Sequence, residues 1–397
     1  MTVSTSPSAS RFNADHINQT IERALASAGL DTSSGPMHDV TETIRRALSS
    51  GALPFVDHQV DAQPLEVVER VGEQTSPFHC EEPSPQSHPS PLGLPGQFIK
   101  GEFSNRAGAR AYKLYVPAQV SDSPRPMVVM LHGCTQSADD FARGTQMNRL
   151  AEEKGFFVLY PEQAANANVS KCWNWFQPQD QERDTGEPSL IAGMVREVAR
   201  THGVDDRRIF VAGLSAGAAM AVILGETYPD IFAAVGAHSG LPFASAHDIP
   251  SAMAAMKGGR GNAGAQGLAG AGRGERRCTS AVPTIVFHGD RDHTVQHSNG
   301  AAILRQASDA YAAAGAPNGE TLATSSERGN APKGRTFSRT VHAEADGRPH
   351  LESWTLHGAG HAWSGGDVSG SYTDRKGPDA SAEMVRFFLA QPRAEGA

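Results

Sequence analysis

Three groups of residues in this 397-residue sequence have the types and the order that nucleophilic catalysis needs. Ser215 lies at the centre of G-L-S-A-G, where an apolar run ends and an Ala-rich stretch begins. A serine hydroxyl is a weak nucleophile by itself, so it needs an imidazole as base and a carboxylate that orients the imidazole. Such groups follow in H-G-D-R-D-H at 288–293 and in H-G-A-G-H at 357–361. The pattern predicts Ser215 as nucleophile and His361 as general base.

Two aspartates compete for the role of the orienting acid. Asp292 is favoured because it would lie deepest in its turn and point at His361, whereas Asp290 would brace the loop as a hydrogen-bond acceptor. The same loop holds His288 and His293, which together with the aspartates raise the alternative of a metal site. No helical spacing and no second ligand group accompany them, so we expect no metal and no cofactor.

An oxyanion formed during acyl transfer needs two N–H donors. The residue after the nucleophile normally provides one, which here is Ala216. The second donor should come from H-G-C-T-Q, at 132–136, because this segment follows a buried apolar strand. We expect the N–H of Cys134 to be that donor; a strand-end loop without catalytic duty is the alternative.

Aromatic residues accompany these loops. Trp173 and Trp175 follow a central strand, and Trp363 comes two residues after His361. Ligands bind at the carboxyl edge of such sheets, so we expect these tryptophans and His132 to contact substrate, with core packing as the alternative for each tryptophan.

The sequence also bears on compartment and partners. Residues 1–11 have no apolar core of a secretion signal, and no apolar run is long enough to span a bilayer, so a cytoplasmic protein is expected. Cys134 and Cys172 should lie at one sheet edge, yet a reducing compartment argues against a disulfide between them. A net charge of −8 with scattered basic residues argues against a nucleic-acid partner.

The first 95 residues differ from the rest. T-I-E-R-A-L-A-S at 20–27 recurs as T-I-R-R-A-L-S-S at 43–50, which predicts two short amphipathic helices, and a proline-rich stretch follows. We expect a boundary near Pro95, with a catalytic domain over 96–397 that carries a Gly/Ala-rich surface insertion at 257–277. The two helices either pack on each other or on the catalytic domain, or dock on a partner or an apolar surface.

Beyond residue 95, apolar runs alternate with helical patterns. Strands are predicted at 98–103, 111–116, 127–131, 156–160, 208–211, 233–236 and 284–287, and a hairpin at 335–342 with 350–356. Helices are predicted at 138–154, 189–201, 216–228 and 381–389. Strand alternating with helix predicts an α/β fold, a mostly parallel doubly wound sheet with helices on both faces.

Five motifs, L-H-G-C-T-Q, C-W-N-W-F, G-L-S-A-G, H-G-D-R-D and H-G-A-G-H-A-W-S-G-G, resemble in type and order the polyhydroxybutyrate depolymerase family of esterases. The resemblance covers about residues 98–391. It implies an α/β-hydrolase with Ser215, Asp292 and His361 as its triad, acting on short-chain hydroxyalkanoate esters. Feruloyl and acetylxylan esterases are related members and give an alternative substrate class, and the family offers an extracellular location as the alternative to the cytoplasm.

A different kind of function is also open at this point. A non-catalytic protein on the same scaffold could bind storage granules through its N-terminal helices. Such a protein would have no reason to retain all three triad residues, so the sequence favours the enzyme.

Overall fold

A computed structural model describes residues 87–89, 93–119, 121, 123–258, 281–314, 321–332 and 334–391. The two predicted N-terminal helices and most of the Gly/Ala-rich insertion lie outside the described residues. None of the described helices is both long and apolar enough to cross a membrane.

One large sheet forms the centre of the described chain. Its strands are β1 (Ser87–Pro89), β2 (Gln97–Asn105), β3 (Gly108–Val116), β4 (Arg125–Leu131), β5 (Phe157–Pro161), β6 (Val204–Leu214), β7 (Ala234–His238), β8 (Thr284–Gly289), β9 (Ala323–Asn330), β10 (Thr336–Ala343) and β11 (Pro349–Leu356). Their order across the sheet is β1-β2-β3-β5-β4-β6-β7-β8-β11-β10-β9. The middle of the sheet, from β5 to β11 in that order, is parallel, and both ends are antiparallel. Two short strands, β12 (Trp363–Ser364) and β13 (Thr373–Asp374), pair separately.

The described residues contain seven α-helices: α1 (Ala138–Thr145), α2 (Met147–Lys154), α3 (Gly186–His202), α4 (Ala216–Thr227), α5 (Ile249–Met256), α6 (Ser298–Ala313) and α7 (Ala380–Leu389). Side chains of β4 alternate between two apolar clusters, so Met127 and Val129 pack with α3 and α4, whereas Val128 and Met130 pack with α1, α2 and α7. Helices therefore cover both faces of a mostly parallel sheet, which confirms the predicted α/β-hydrolase fold class.

Local structure departs from the sequence predictions in a few places. The single helix predicted at 138–154 is two helices, because Gln146 adopts a left-handed φ of 57° between them. Helices α5 and α6 and strand β9 were not predicted. Strand β9 is almost wholly exposed and polar, so it has no apolar alternation to reveal it, and it is held by pairing along its length with β10.

Candidate active site

The turn between β6 and α4 presents Ser215. Its backbone has φ 58° and ψ −119°, a strained conformation for a residue with a side chain. A Cβ atom on Gly217 would overlap the carbonyl oxygens of Leu131 and His132, so α4 begins directly against the end of β4. The N–H of Ser215 donates to the carbonyl oxygen of His238 at 2.9 Å, which ties the turn to β7. The tight turn is thus fixed by close backbone packing that only glycine permits.

His361 and Asp292 are in direct contact, although they lie in different loops, after β11 and after β8. Nδ1 of His361 lies 2.7 Å from Oδ2 of Asp292, and the buried Oδ1 of Asp292 accepts from the N–H groups of Thr294 and Val295, both at 2.9 Å. Burial alone would raise the pKa of Asp292, but hydrogen bonds from His288 and His361 outweigh it and hold that pKa well below its usual range. A proton on Nδ1 bonded to this carboxylate leaves Nε2 of His361 free to act as a base.

Asp290 has different partners. Its Oδ2 lies 3.0 Å from Nδ1 of His357, and its Oδ1 accepts from the N–H of Gly358 at 2.6 Å. These contacts join the loop after β8 to the loop after β11. The two aspartates therefore have different roles: Asp292 contacts His361, and Asp290 holds the two loops together.

The metal alternative concerned the loop that holds His288 and His293. Nε2 of His288 lies 2.8 Å from the carbonyl oxygen of Val295 and 3.5 Å from Oδ2 of Asp292, so the ring closes the loop on itself. Among the described residues, no group of three or more His, Cys, Asp or Glu side chains is arranged to hold a metal ion.

The loop after β4 lies beside the serine turn. Gly133 packs near Leu214, and its N–H donates to Oε1 of Gln136 at 2.9 Å. The N–H of the next residue, Cys134, has no hydrogen-bond partner within the described part of the chain. Ala216 is the first residue of α4, where N–H groups lack partners within the helix. Both predicted oxyanion donors thus belong to backbone that meets at the end of β4 and β6.

The structure contains a disulfide between Cys134 and Cys172, with sulfur atoms 2.03 Å apart and Cα atoms 4.2 Å apart. The prediction against this bond was wrong. β4 and β5 are parallel neighbours, so the loops that follow them leave the same sheet edge, and the N–H of Thr135 donates to the carbonyl oxygen of Ser170 at 2.7 Å. The parallel pairing of β4 and β5 therefore predicts this disulfide better than the expected cellular compartment does.

The predicted substrate contacts of three aromatic residues are also wrong. Trp173, Trp363 and His132 are at most 1% exposed and have no face open to a ligand. The indole N–H groups are engaged inside the protein, that of Trp173 with the carbonyl oxygen of His132 at 3.2 Å and that of Trp363 with Oγ of Ser381 at 3.0 Å. Trp175 retains 6% exposure. The loops fold back over the sheet edge, so these residues support the site as part of the core.

A buried polar network behind the same loops was not predicted. The carboxylate of Glu187 accepts from Nη2 of Arg110 at 3.2 Å, from Nε2 of Gln163 at 2.5 Å and from the N–H of Asn174 at 2.7 Å. Burial, with the neighbouring charge of Glu187, raises the pKa of Asp180 to about 7. Glu187 stands in the first turn of α3, where an acidic residue is ordinary, so the sequence offered no signal for its role.

His238, at the end of β7, is the second unpredicted residue. Its ring is fully buried, stacked near the rings of Phe287 and Trp363 at 5.8 and 5.2 Å. Nε2 accepts from the N–H of Ser364 at 3.0 Å, while its carbonyl oxygen holds Ser215. One residue therefore links the serine turn to the segment that follows His361.

Residues 110–321 match the family model described as esterase PHB depolymerase, which covers more than half of the chain. The chain belongs to this family. A poly(3-hydroxyalkanoate) depolymerase C of Paucimonas lemoignei is 33% identical over 59% of this chain and 54% of its own length. A feruloyl esterase B of Thermothelomyces thermophilus is 34% identical over 38% of this chain and 51% of its own length.

Among solved structures, an acetyl xylan esterase from Aspergillus awamori superposes with a TM-score of 0.49 at 21% identity, over 71% of this chain and 94% of its own. The chain spans about half the length of the curated relatives it matches.

Proposed function

We propose that this family member is a serine carboxylesterase that hydrolyses short-chain hydroxyalkanoate esters through an acyl-enzyme intermediate. The observation that carries the proposal is the 2.7 Å contact between His361 and the buried Asp292, in a chain that also holds Ser215 in a strained turn. Strain of this kind persists only where the surrounding structure enforces it, and here it presents a hydroxyl at a strand end.

In the acylation half of the reaction, Ser215 acts as the nucleophile and His361 as the base. Oγ of Ser215 attacks the ester carbonyl carbon, and Nε2 of His361 takes the hydroxyl proton. The negative charge moves to the carbonyl oxygen, where the N–H groups of Ala216 and Cys134 stabilise it. The C–O bond to the leaving alcohol then breaks, and that alcohol receives the proton from His361.

Deacylation repeats the same steps with water. His361 takes a proton from water, the resulting hydroxide attacks the acyl carbon, and the bond to Ser215 breaks as the proton returns to its oxygen. Asp292 holds the correct tautomer of His361 and stabilises its charged form in both halves.

The family supports esters as substrates, and the relatives differ in which ester. Hydroxyalkanoate esters are proposed first because a relative that is 33% identical over 59% of this chain is described as a depolymerase of such a polymer. Feruloyl or acetylated xylan esters are the second candidate, on the ground of 34% identity to proteins described as esterases of those groups.

Hydrolysis of nitrophenyl esters of graded chain length, beside soluble hydroxybutyrate oligomers, methyl ferulate and acetylated xylan, tests the proposal. We expect short nitrophenyl esters and the oligomers to be cleaved, and a Ser215→Ala variant to lose this activity while retaining its melting temperature. Turnover by that variant at the wild-type rate would refute the assignment. Cleavage of the ferulate or xylan esters alone would shift it to the second candidate.

A further inference from the structure

His132 is the first residue of the loop after β4, two residues before Cys134. It is fully buried, and its two ring nitrogens have different partners. Nε2 lies 3.0 Å from the main-chain nitrogen of Gln163, and Nδ1 lies 2.7 Å from the carbonyl oxygen of Gly133.

These contacts determine which tautomer is present. The main-chain nitrogen of Gln163 can only donate, so Nε2 of His132 must be the acceptor and carries no proton. A neutral imidazole then has its proton on Nδ1, and that proton points at the carbonyl oxygen of Gly133. Burial lowers the pKa of His132, which agrees with a ring that stays neutral.

The carbonyl of Gly133 belongs to the same peptide group as the N–H of Cys134. A trans peptide is planar, so its C=O and N–H point in opposite directions. Holding the oxygen of Gly133 toward the interior therefore turns the N–H of Cys134 outward, away from His132, on a loop that packs beside the serine turn. That N–H has no hydrogen-bond partner among the described residues. A donor that stabilises a reacting oxygen must be free in this way before substrate binds.

We propose that His132 is a positioning residue that fixes the Gly133–Cys134 peptide with its N–H facing the oxyanion. This inference rests on the proposed esterase function and gives His132 a role in place of the substrate contact expected from the sequence. It acts through the 2.7 Å hydrogen bond from Nδ1 to the carbonyl oxygen of Gly133, which also accepts from the N–H of Gln136 at a longer 3.3 Å.

Two variants separate the hydrogen bond to Gly133 from the packing of the His132 ring and its hydrogen bond with Gln163. An asparagine amide at this position retains a donor where Nδ1 stands and loses the acceptor for Gln163. A glutamine carbonyl reaches the position of Nε2 and retains the acceptor, but the donor toward Gly133 is lost. We expect His132→Gln to lower kcat by about 10²-fold with little change in KM, since one oxyanion donor is typically worth 10²–10³ in kcat. We expect His132→Asn to stay within a few-fold of wild type.

A second readout reports the oxyanion directly. A trifluoromethyl ketone inhibitor adds to Ser215 to give a tetrahedral oxyanion. Its affinity should fall in His132→Gln by the same factor as kcat, and it should be unchanged in His132→Asn. Equal loss of kcat in both variants, or a loss of kcat in His132→Gln without a loss of inhibitor affinity, would overturn the proposal.

The tautomer itself is measured on the wild-type protein, and a variant is used only to assign the signal. Long-range ¹H–¹⁵N spectra of ¹⁵N-histidine-labelled protein should show one buried ring protonated at Nδ1 alone across pH 6–8, assigned by its absence in His132→Asn. A ring protonated at Nε2, or at both nitrogens, would refute the inference. Absence of esterase activity in the wild type would instead refute the proposed function, and the spectra would still report the tautomer.

Discussion

At the residue scale, the chemistry of this site depends on how differently two neighbouring aspartates are placed. Asp292 is buried with donors on both of its oxygens, whereas the side chain of Asp290 is 37% exposed and contacts His357. The low pKa of Asp292 keeps it ionised throughout the range in which an imidazole can act as a base. Protonation of Asp292 should therefore not limit activity on the acid side of neutrality.

This difference predicts unequal effects of the same substitution. Asp292→Asn should lower kcat by about 10⁴-fold, because the amide cannot hold the Nδ1–H tautomer of His361. Asp290→Asn should lower the melting temperature while kcat changes by less than about 10-fold, because Asp290 makes two partly exposed hydrogen bonds, each worth about 1 kcal/mol, and contacts His357 rather than His361. Steady-state kinetics on a short nitrophenyl ester compares the two, and a greater loss of kcat in Asp290→Asn would exchange their roles.

At the scale of elements, His238 joins the serine turn to the segment that follows His361 and so fixes their relative position. Its carbonyl oxygen holds the serine turn, and its ring holds the N–H of Ser364, three residues beyond His361. Burial, reinforced by the charges of His288 and His361, lowers the pKa of His238 to about 3. The folded protein therefore keeps this ring neutral at pH values where the unfolded chain would protonate it.

That shift has a definite sign in pH-dependent stability. Between pH 6.5 and about 3 the unfolded state binds one more proton at His238 than the folded state does, so the free energy of unfolding falls as the pH falls. The contribution is fully present above pH 6.5 and decreases by about 1.4 kcal/mol per pH unit below it. We expect His238→Gln to reduce this slope by one proton in urea unfolding between pH 7 and 4.5.

The exposed His293, in the neighbouring loop, offers a matched control. His293→Gln removes an exposed histidine without altering the buried ring, so a change of slope seen in His238→Gln and not in His293→Gln is assigned to His238. An unchanged slope in His238→Gln would mean that the buried ring does not titrate as described.

The loops after β4 and β5 are a second pair of elements held together, in this case by Cys134–Cys172. The bond closes a segment with a sequence separation of 38, for which chain entropy predicts about 3–4 kcal/mol of stabilisation. Cys172→Ser should lose most of that free energy and lower kcat, because the oxyanion loop is no longer anchored. Urea unfolding and ester kinetics measure both, with Cys278→Ser as the control.

The same bond bears on where the protein works. Disulfides persist mainly in oxidising compartments, whereas the sequence predicted a cytoplasmic protein. A non-reducing digest should contain the Cys134 and Cys172 peptides linked. Finding both as alkylated free thiols would contradict the disulfide and favour the cytoplasmic location.

At the scale of the whole molecule, the role of the N-terminal segment stays a prediction. We propose that the two amphipathic helices predicted in this segment dock the enzyme on apolar polyester granules. β1, which lies before the predicted boundary at Pro95, pairs with β2 of the sheet, so a truncated chain should begin at Glu81 rather than at residue 96. That chain should retain activity on soluble esters and lose activity on native granules; equal loss on both would exclude docking.

Sequence reasoning reached the fold and its strand-end loops because buried parallel strands are apolar throughout and glycines mark the serine turn. It did not reach β9, whose polar residues pair only through backbone, or Glu187 and His238, whose partners come from distant elements. The tryptophans were misread for a related reason, since a loop at the ligand-binding edge can fold inward, and only tertiary packing decides which side an indole faces.

The most direct test of the central claim is to trap the acyl-enzyme. A rapid quench after mixing with a short-chain nitrophenyl ester, followed by digestion and mass spectrometry, should find the acyl group on the peptide that contains Ser215. The same peptide should stay unmodified in Ser215→Ala, and in Asp292→Asn the adduct should form far more slowly. An acyl group on another residue, or ester cleavage at the wild-type rate by Ser215→Ala, would contradict the account.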